Sequence, residues 1–423
     1  MRRLNPVQLL SLVLVVGLGG CASTPSASPA PGALKLERVV MLMRHGVRPP
    51  TKAMVTPEGV ADRPWPAWSV DYGLLTPHGY DAIRLLGVWD RQNWAARGLL
   101  PTEGCPAAGD IAVAASAKSR TQETAKALIE GMAPDCGLTA SFPASPDDDV
   151  EFHPIDAHAM PIDPDEAVRA VEALAPAGGM AAEVARQAEL LSLIQRALGC
   201  CTPAWCADKG LAAGCSLTQV QPGVVRNEDD RPDVGEPFGM VSTVAQTFLL
   251  EYLEGMPMSD VAWGRLSRAD IERLLELHSL KFYYEGRSPY VAARAASPLA
   301  TRMLTAMERG PKLTVLAGHD TNIADLGGFL DLHWEVKSYP RDNPPPGGAL
   351  GFEVLSNASG QRYVRAFYRA QTMDQVRELQ PLTATNPADY QYLPIPGCAE
   401  PCRLETFDAL VRSRLVAPIG RAG

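Results

Sequence analysis

The feature that most constrains the fold is a set of three short apolar runs, each followed at once by charged side chains. The runs cover residues 39–43, 111–115 and 313–317. Runs of this length, bounded by glycine or polar residues, are typical of strands buried on both faces of an α/β sheet. A ligand of such a sheet binds outside the carboxyl ends of the strands, so we expect the residues that follow the three runs to share one crevice.

Six charged or titratable residues follow the ends of these runs: Arg44, His45, Arg48, Arg120, His319 and Asp320. Guanidinium groups bind tetrahedral oxyanions such as phosphate through strong charge-assisted hydrogen bonds. An arginine more often pairs with a surface carboxylate, and that would be enough to explain Arg120 alone. It explains Arg44 and Arg48 less well, because no acidic residue follows them before Glu58. The pattern indicates a phosphate-binding site.

His45 has the surroundings of a covalent nucleophile. The positive charges of Arg44 and Arg48 should lower the pKa of its imidazole, and a neutral imidazole can attack phosphorus. We expect Asp320 to give a proton to the departing alkoxide and then to act as base for water. His319 would donate a hydrogen bond to the phosphoryl group. Taken alone, "GHD" around His319 would equally be a turn that closes a strand.

The remaining five histidines lack such neighbours, and we predict ordinary core or surface roles for them: His78, His153, His158, His278 and His333. The sequence has no ligand cluster at metal spacing, no Walker A pattern and no GxSxG motif, so we expect neither a metal nor a cofactor. With 39 basic and 48 acidic side chains, a net charge of −9 and no long basic run, the composition argues against nucleic acid as a partner. A small phosphate ester is the expected partner.

Residues 151–270 differ from the rest of the chain. Alanine, leucine and valine recur there at helical spacing, as in "AAEVARQAELLSLIQRALG" and "MVSTVAQTFLLEYLEG", without strand-like alternation. Strand-like sequence returns at Leu313 and in "GGALGFEVL". We therefore predict an α/β catalytic core over residues 36–150 and 271–423, and a smaller helical cap domain over residues 151–270.

Residues 1–21 are typical of an export signal. Two arginines precede an apolar run that is too short to span a bilayer comfortably. "LGGC" at the end of this run resembles a bacterial lipobox, which would make Cys21 the lipidated first residue of the mature chain; ordinary cleavage near Ala22 is the alternative. Residues 22–35 then form a flexible tether. We expect a monomeric periplasmic lipoprotein, anchored to the outer membrane through Cys21.

The cysteines agree with export. Without Cys21, eight of the nine cysteines remain, and an even number in an exported chain indicates disulfides. We expect Cys105 to pair with Cys136 and Cys398 with Cys402. The four cysteines between residues 200 and 215 would bridge among themselves, in an order that their spacing leaves open.

Several motifs together resemble the histidine acid phosphatases, in particular the exported bacterial branch that contains phytases and glucose-1-phosphatases. The motifs are "RHGVRPPTK" at 44–52, "LTPHG" at 75–79, "SRTQETA" at 119–125 and "GHDTNIADLGG" at 318–328. The resemblance spans about residues 36–408. It implies a mixed-sheet α/β core flanked by helices with a smaller helical domain over the cleft.

The resemblance also implies roles for individual residues. His45 would form a phosphohistidine and Asp320 would donate the proton, while the phosphate would be held by four residues: Arg44, Arg48, Arg120 and His319. A disulfide between Cys206 and Cys215 is implied as well. This would leave Cys200 next to Cys201, with no cysteine near the C-terminus to pair with either.

The substrate is predicted from the segment that follows the signature. "PTK", with Thr51 and Lys52 at the rim of the pocket, is similar to the phytases, whose polyphosphorylated substrate favours extra positive charge. Lys52 could equally be a solvated surface lysine. "FLLEYLEGMPMSDVAWG" is closer to the glucose-1-phosphatases. We predict phytate as the substrate, with a glucose-1-phosphatase or broad sugar-phosphate phosphatase as the alternative. A phosphate-ester binding lipoprotein without catalysis is a further alternative; it would be expected to lack an intact pair of His45 and Asp320.

Overall fold

A mixed seven-stranded sheet explains why the apolar runs are buried. The computed structural model describes residues 34–228 and 230–419. The sheet has the strand order β2-β5-β1-β6-β7-β8, with β9 paired to β7. The strands of the described chain are β1 Lys35–Arg44, β2 Ile111–Ala115, β3 Val224–Val225, β4 Asp233–Val234, β5 Leu313–Gly318, β6 Ala349–Ser356, β7 Arg362–Ala370, β8 Asp389–Leu393 and β9 Cys402–Arg403.

Helices flank this sheet. Those of the described residues are α1 Pro77–Ala96, α2 Ser119–Met132, α3 Pro164–Glu172, α4 Gly179–Arg186, α5 Ala188–Leu198, α6 Pro203–Asp208, α7 Phe238–Leu253, α8 Arg268–Arg287, α9 Pro289–Arg309, α10 Asp320–Leu330, α11 Met373–Arg377 and α12 Leu404–Arg414. The mixed sheet with flanking helices confirms the predicted fold class.

Both faces of the central strand β1 are buried. Val40 and Leu42 belong to one apolar cluster, whereas Val39, Met41 and Met43 belong to another. Side chains alternate between the two faces of a strand, so these clusters lie on opposite sides of the sheet. This is why the run reads as continuously apolar rather than alternating.

Three strands run parallel and end level with one another. β1 pairs with β5 in a register that sets Arg44 opposite Gly318. β2 pairs with the other side of β5, with Ala115 opposite Ala317. β6 is antiparallel to β1, which makes the sheet mixed. The residues that follow β1, β2 and β5 therefore emerge at one edge.

The first turn of α1 packs directly against the loop that follows β1. Thr76 caps the helix by accepting a hydrogen bond from the backbone N–H of Gly79 at 2.9 Å, and Pro77 occupies its first turn. A Cβ on Gly79 would lie 2.4 Å from the carbonyl oxygen of Val47. Only glycine allows this approach, which fixes the backbone beside Arg48.

Residues 151–270 hold helices α3 to α7 together with the short ladder of β3 and β4. The ladder is a feature that the helical pattern did not indicate. The boundaries of the catalytic core and of the cap domain remain predictions. In the described part of the chain, no helix is long and apolar enough to cross a membrane.

Eight cysteines form four disulfides. The predicted pairs Cys105–Cys136, Cys398–Cys402 and Cys206–Cys215 are present. Cys200 bonds to its neighbour Cys201. The predicted signal segment, Cys21 and most of the tether lie outside the described residues.

Candidate active site

The level ends of β1, β2 and β5 gather the predicted residues. His45 follows β1 directly, and its backbone N–H donates to the carbonyl of Gly318 at the end of β5, at 3.0 Å. The rings of His45 and His319 lie edge to face with centroids 5.5 Å apart. His319 and Asp320 follow β5, where Asp320 opens α10. The residues predicted to share one crevice therefore lie together at one edge of the sheet.

The tautomer of His45 is set by its own loop. Its side chain is 1% exposed, and Nδ1 lies 2.8 Å from the carbonyl oxygen of Gly46. A carbonyl oxygen can only accept, so Nδ1 carries the proton and Nε2 keeps the lone pair. Burial, followed by the charges of Arg120, Arg48 and Arg44, lowers the pKa of His45 well below its ordinary value. The imidazole is therefore neutral even in mild acid.

Three arginines bring buried positive charge to this edge. Arg44 donates from Nη1 to the carbonyl of Pro344 at 2.6 Å, and Arg48 donates to the carbonyl of Pro49 at 2.8 Å. Their Nε atoms and that of Arg120 are buried without a hydrogen-bond partner among the residues described. Unsatisfied buried donors are costly unless a ligand accepts from them. Burial and the charge of Arg120 lower the pKa of Arg48 to about 9, so the cluster favours a bound anion.

Asp320 is held in its ionised form in the absence of a ligand. Its Oδ2 lies 2.8 Å from Nη2 of Arg44 and accepts a hydrogen bond from Nε2 of Gln246 at 3.0 Å. Burial acts to raise the pKa of Asp320, but the neighbouring positive charges, of which Arg44 contributes most, together outweigh burial, and the pKa lies well below its ordinary value. Its place at the N-terminus of α10 also favours negative charge. An acid role therefore requires that Asp320 gain a proton after the substrate binds.

Arg120 and His319 contact one another. Arg120 lies in the first turn of α2, and its Nη2 is 3.3 Å from Nδ1 of His319. Nε2 of His319 is 3.1 Å from Oγ of Ser116. Both ring nitrogens therefore have protein partners. Burial and the charge of Arg120 lower the pKa of His319 well below its ordinary value, so it too is neutral here.

Thr51 and Lys52 are not part of this buried cluster. Both are exposed, in the bend that follows Pro50. Their predicted place at a rim, in contact with substrate rather than with the transferred phosphate, stays a prediction.

Residues near the cluster that were not predicted from the sequence include Ser116, Asp149, His153, Gln246 and His278. His278, for which a core role is predicted, is 3% exposed, and its Nε2 lies 4.0 Å from Oδ2 of Asp320. Its spacing in α8 carries no signal of this contact, because any buried helical residue would show the same pattern. No group of three or more potential metal ligands lies together within residues 34–228 and 230–419.

The chain belongs to the histidine phosphatase superfamily (branch 2), whose family model matches residues 35–172 and 235–369. This confirms the resemblance inferred from the motifs.

Curated relatives include both enzyme types that the motifs suggested. Phytase AppA of Escherichia coli (strain K12) is 35% identical over 401 residues, which cover 89% of this chain and 91% of the relative. A glucose-1-phosphatase of Salmonella typhimurium is 29% identical over 423 residues, covering 96% and 98%. Among solved structures, Hafnia alvei phytase in complex with tartrate matches with a TM-score of 0.85 and 34% identity, covering 92% of this chain and 98% of that chain.

Proposed function

We propose that this protein is an exported acid phosphatase that hydrolyses phytate and related phosphate monoesters through a phosphohistidine on His45. The observation that carries the proposal is the tautomer of His45, since the bond from Nδ1 to Gly46 leaves Nε2 with a free lone pair near three arginines whose Nε atoms are buried. Nε2 is thus the nitrogen available to attack phosphorus.

In the first step, Nε2 of His45 bonds to phosphorus and the bond from phosphorus to the ester oxygen breaks. The departing oxygen takes a proton from Asp320. The phosphoryl oxygens are bound by four residues: Arg44, Arg48, Arg120 and His319. In the second step, Asp320 removes a proton from water, the water oxygen bonds to phosphorus, and His45 is released with inorganic phosphate.

Substrate binding can protonate Asp320, which is ionised in the free protein. A bound phosphate monoester brings negative charge close to the Arg44–Asp320 ion pair, and like charges raise the pKa of a carboxylate. The second pKa of a phosphate monoester is about 6, so an ester that binds in acid also carries a proton itself. The proposed chemistry therefore favours acid pH and uses no metal or cofactor.

Phytate is the proposed first substrate because of the 35% identity to a phytase and the "PTK" segment with Thr51 and Lys52. Glucose-1-phosphate is the second candidate, because the similarity to a glucose-1-phosphatase covers 96% of this chain. A binding protein without catalysis is the remote third, and it would need a broken pair of His45 and Asp320, both of which are present.

Export and anchoring are part of the proposal. The support is the apolar segment before "LGGC", the Ser- and Pro-rich tether, and the four disulfides, which are typical of an oxidising compartment. We propose a monomeric periplasmic lipoprotein carrying its lipid on Cys21. Mass spectrometry of the membrane-extracted protein, beside Cys21→Ser, would detect or exclude the lipid.

The experiment for the activity is phosphate release at acid pH from phytate and from glucose-1-phosphate in parallel, using the chain without residues 1–21. His45→Ala should abolish both reactions, whereas His333→Ala, at a half-exposed histidine outside the strand-end cluster, should retain them. Faster turnover of glucose-1-phosphate than of phytate would refute phytate as the preferred substrate but would remain consistent with the phosphohistidine mechanism. Retention of either ester without hydrolysis would favour the binding protein.

A further inference from the structure

A buried chain of hydrogen bonds runs from Asp149 to the phosphate site. Ser116, the residue after β2, places its Oγ 2.5 Å from Oδ2 of Asp149 and 3.1 Å from Nε2 of His319. Nδ1 of His319 is in turn 3.3 Å from Nη2 of Arg120. Ser116 and Asp149 are both 0% exposed, and His319 is 3% exposed.

The direction of every bond in this chain is fixed. Oδ2 of Asp149 accepts from the backbone N–H of Ala117 at 2.8 Å, so it is also the acceptor for the hydroxyl of Ser116. A hydroxyl has one proton, so Oγ must accept from Nε2–H of His319. A neutral imidazole has one N–H, so Nδ1 accepts from the guanidinium of Arg120.

We propose that Ser116 and Asp149 are positioning residues of the phosphate site, which hold His319 in the Nε2–H tautomer and thereby orient Arg120. The inference rests on the proposed function and deepens it. Neither residue is required to touch the substrate. They act through His319, much as an orienting carboxylate acts through a catalytic histidine.

The cost of burying Asp149 supports a functional role. Its second oxygen, Oδ1, is buried without a hydrogen-bond partner in the described residues. A buried, incompletely bonded carboxylate destabilises a fold, so its presence calls for a reason beyond packing. The simplest alternative is a structural link that ties the turn before residue 150 to the end of β2.

Binding of phosphate should change the protonation state of His319. When Arg120 turns its donors to the phosphate, the Nδ1 lone pair is released and can take one proton from the acidic solvent. The imidazolium then donates from Nδ1 to the phosphate and from Nε2 to Ser116, with the charge of Asp149 stabilising it. The other groups facing His319 are Arg48, Arg120, His45, His153 and Asp320. Of these, Arg120, His153 and Arg48 oppose the added charge in the free protein, whereas Asp320 favours it, and bound phosphate offsets the opposing charges.

The test uses inorganic phosphate as the probe, measured by calorimetry in two buffers of different ionisation enthalpy. This gives the dissociation constant and the number of protons taken up. The variants are Asp149→Asn, which keeps the shape but loses the charge, and Ser116→Ala. The control is Ser297→Ala, a buried serine in α9 that donates to a backbone carbonyl.

We expect Asp149→Asn and Ser116→Ala to weaken phosphate binding about 10- to 100-fold, the range for losing a hydrogen bond to a charged group. Both should also take up fewer protons than the wild type, while Ser297→Ala matches the wild type. Unchanged binding and proton uptake in both variants, with or without a lower Tm, would overturn the inference in favour of a structural link. Should Ser116→Ala fail to fold, the isosteric Asp149→Asn decides. A wild type that does not bind phosphate at all would overturn the proposed function. It would also overturn the positioning role of the hydrogen bonds that link Asp149, Ser116 and His319.

Discussion

His278 makes the stability of the protein depend on pH in a way that can be calculated. It is 3% exposed, and its Nδ1 lies 2.9 Å from Oγ of Ser242, while Nε2 has no hydrogen-bond partner among the residues described. Burial lowers the pKa of His278 from an ordinary value of 6.5 to about 3, although the charge of Asp320 acts in the opposite direction. The unfolded chain therefore binds a proton near pH 6.5 that the folded protein binds only near pH 3.

The sign and size of the effect follow from linkage. Stability rises with pH wherever the unfolded state binds more protons, so His278 contributes fully above pH 6.5 and its contribution is lost as the pH falls toward 3. Each pKa unit corresponds to about 1.4 kcal/mol, so moving from about pH 7 to about pH 4.5 removes about 2.5 kcal/mol of unfolding free energy through this residue alone. His45 and His319 act in the same sense, whereas Glu251, whose pKa burial raises to about 8, acts in the opposite sense.

Urea unfolding of the disulfide-intact protein at about pH 7 and about pH 4.5 measures the contribution of His278 to the free energy of unfolding. The loss of stability between them should be about 2.5 kcal/mol smaller in His278→Gln than in the wild type, because the titrating groups that do not interact with His278 cancel in the difference. Ser242→Ala removes the same hydrogen bond but keeps the imidazole, and should lose as much stability as the wild type does. An equal pH dependence in His278→Gln and in the wild type would refute the reasoning.

Three further predictions concern catalysis, substrate choice and the core. Asp320→Asn should lower kcat/KM, which reports on the first step alone, about 10²- to 10⁴-fold for phytate or glucose-1-phosphate but much less for p-nitrophenyl phosphate, whose leaving group needs no proton; equal losses of kcat/KM would exclude the acid role. Lys52→Ala should raise KM for phytate about 2- to 5-fold at low ionic strength and leave KM for glucose-1-phosphate unchanged, and equal effects would assign the lysine to solvent. Asp90 and Arg369 form an ion pair in which both side chains are 0% exposed. Asp90→Asn should lower the free energy of unfolding in urea by about 3–5 kcal/mol, because it leaves the charge of Arg369 buried without its partner. A loss below about 1 kcal/mol would contradict this.

The strand ends could be predicted from the sequence because the signal is local. An apolar run followed by Arg44 and His45 reports both the strand and its end, and the same holds before His319. No single segment of the sequence predicts the mixed sheet, because strand pairing depends on segments far apart in the chain. The β1–β5 pairing joins residues more than 270 positions apart and was not predicted. The mixed character of the sheet was predicted only from the resemblance to a family.

The residues that orient the site residues or shift their pKa values could not be predicted from the sequence, because only the tertiary structure brings them to the site. Gln246 is a polar residue within an apolar helix, with no pattern to distinguish it from a surface residue. Asp149 reaches His319 only through Ser116. The low pKa of Asp320 is due in largest part to its ion pair with Arg44, 276 positions away, whereas the sequence predicted Asp320 only as the proton donor.

The most direct test of a phosphohistidine on His45 is to trap it. The chain without residues 1–21 would be mixed with phytate at acid pH, quenched rapidly into alkali, in which phosphohistidine survives, and digested for mass spectrometry. We predict phosphate on the peptide that carries His45, absent without substrate and absent in His45→Ala, which should also be inactive. Phosphate on a different residue, or a His45→Ala protein that turns over phytate at the wild-type rate, would contradict the mechanism.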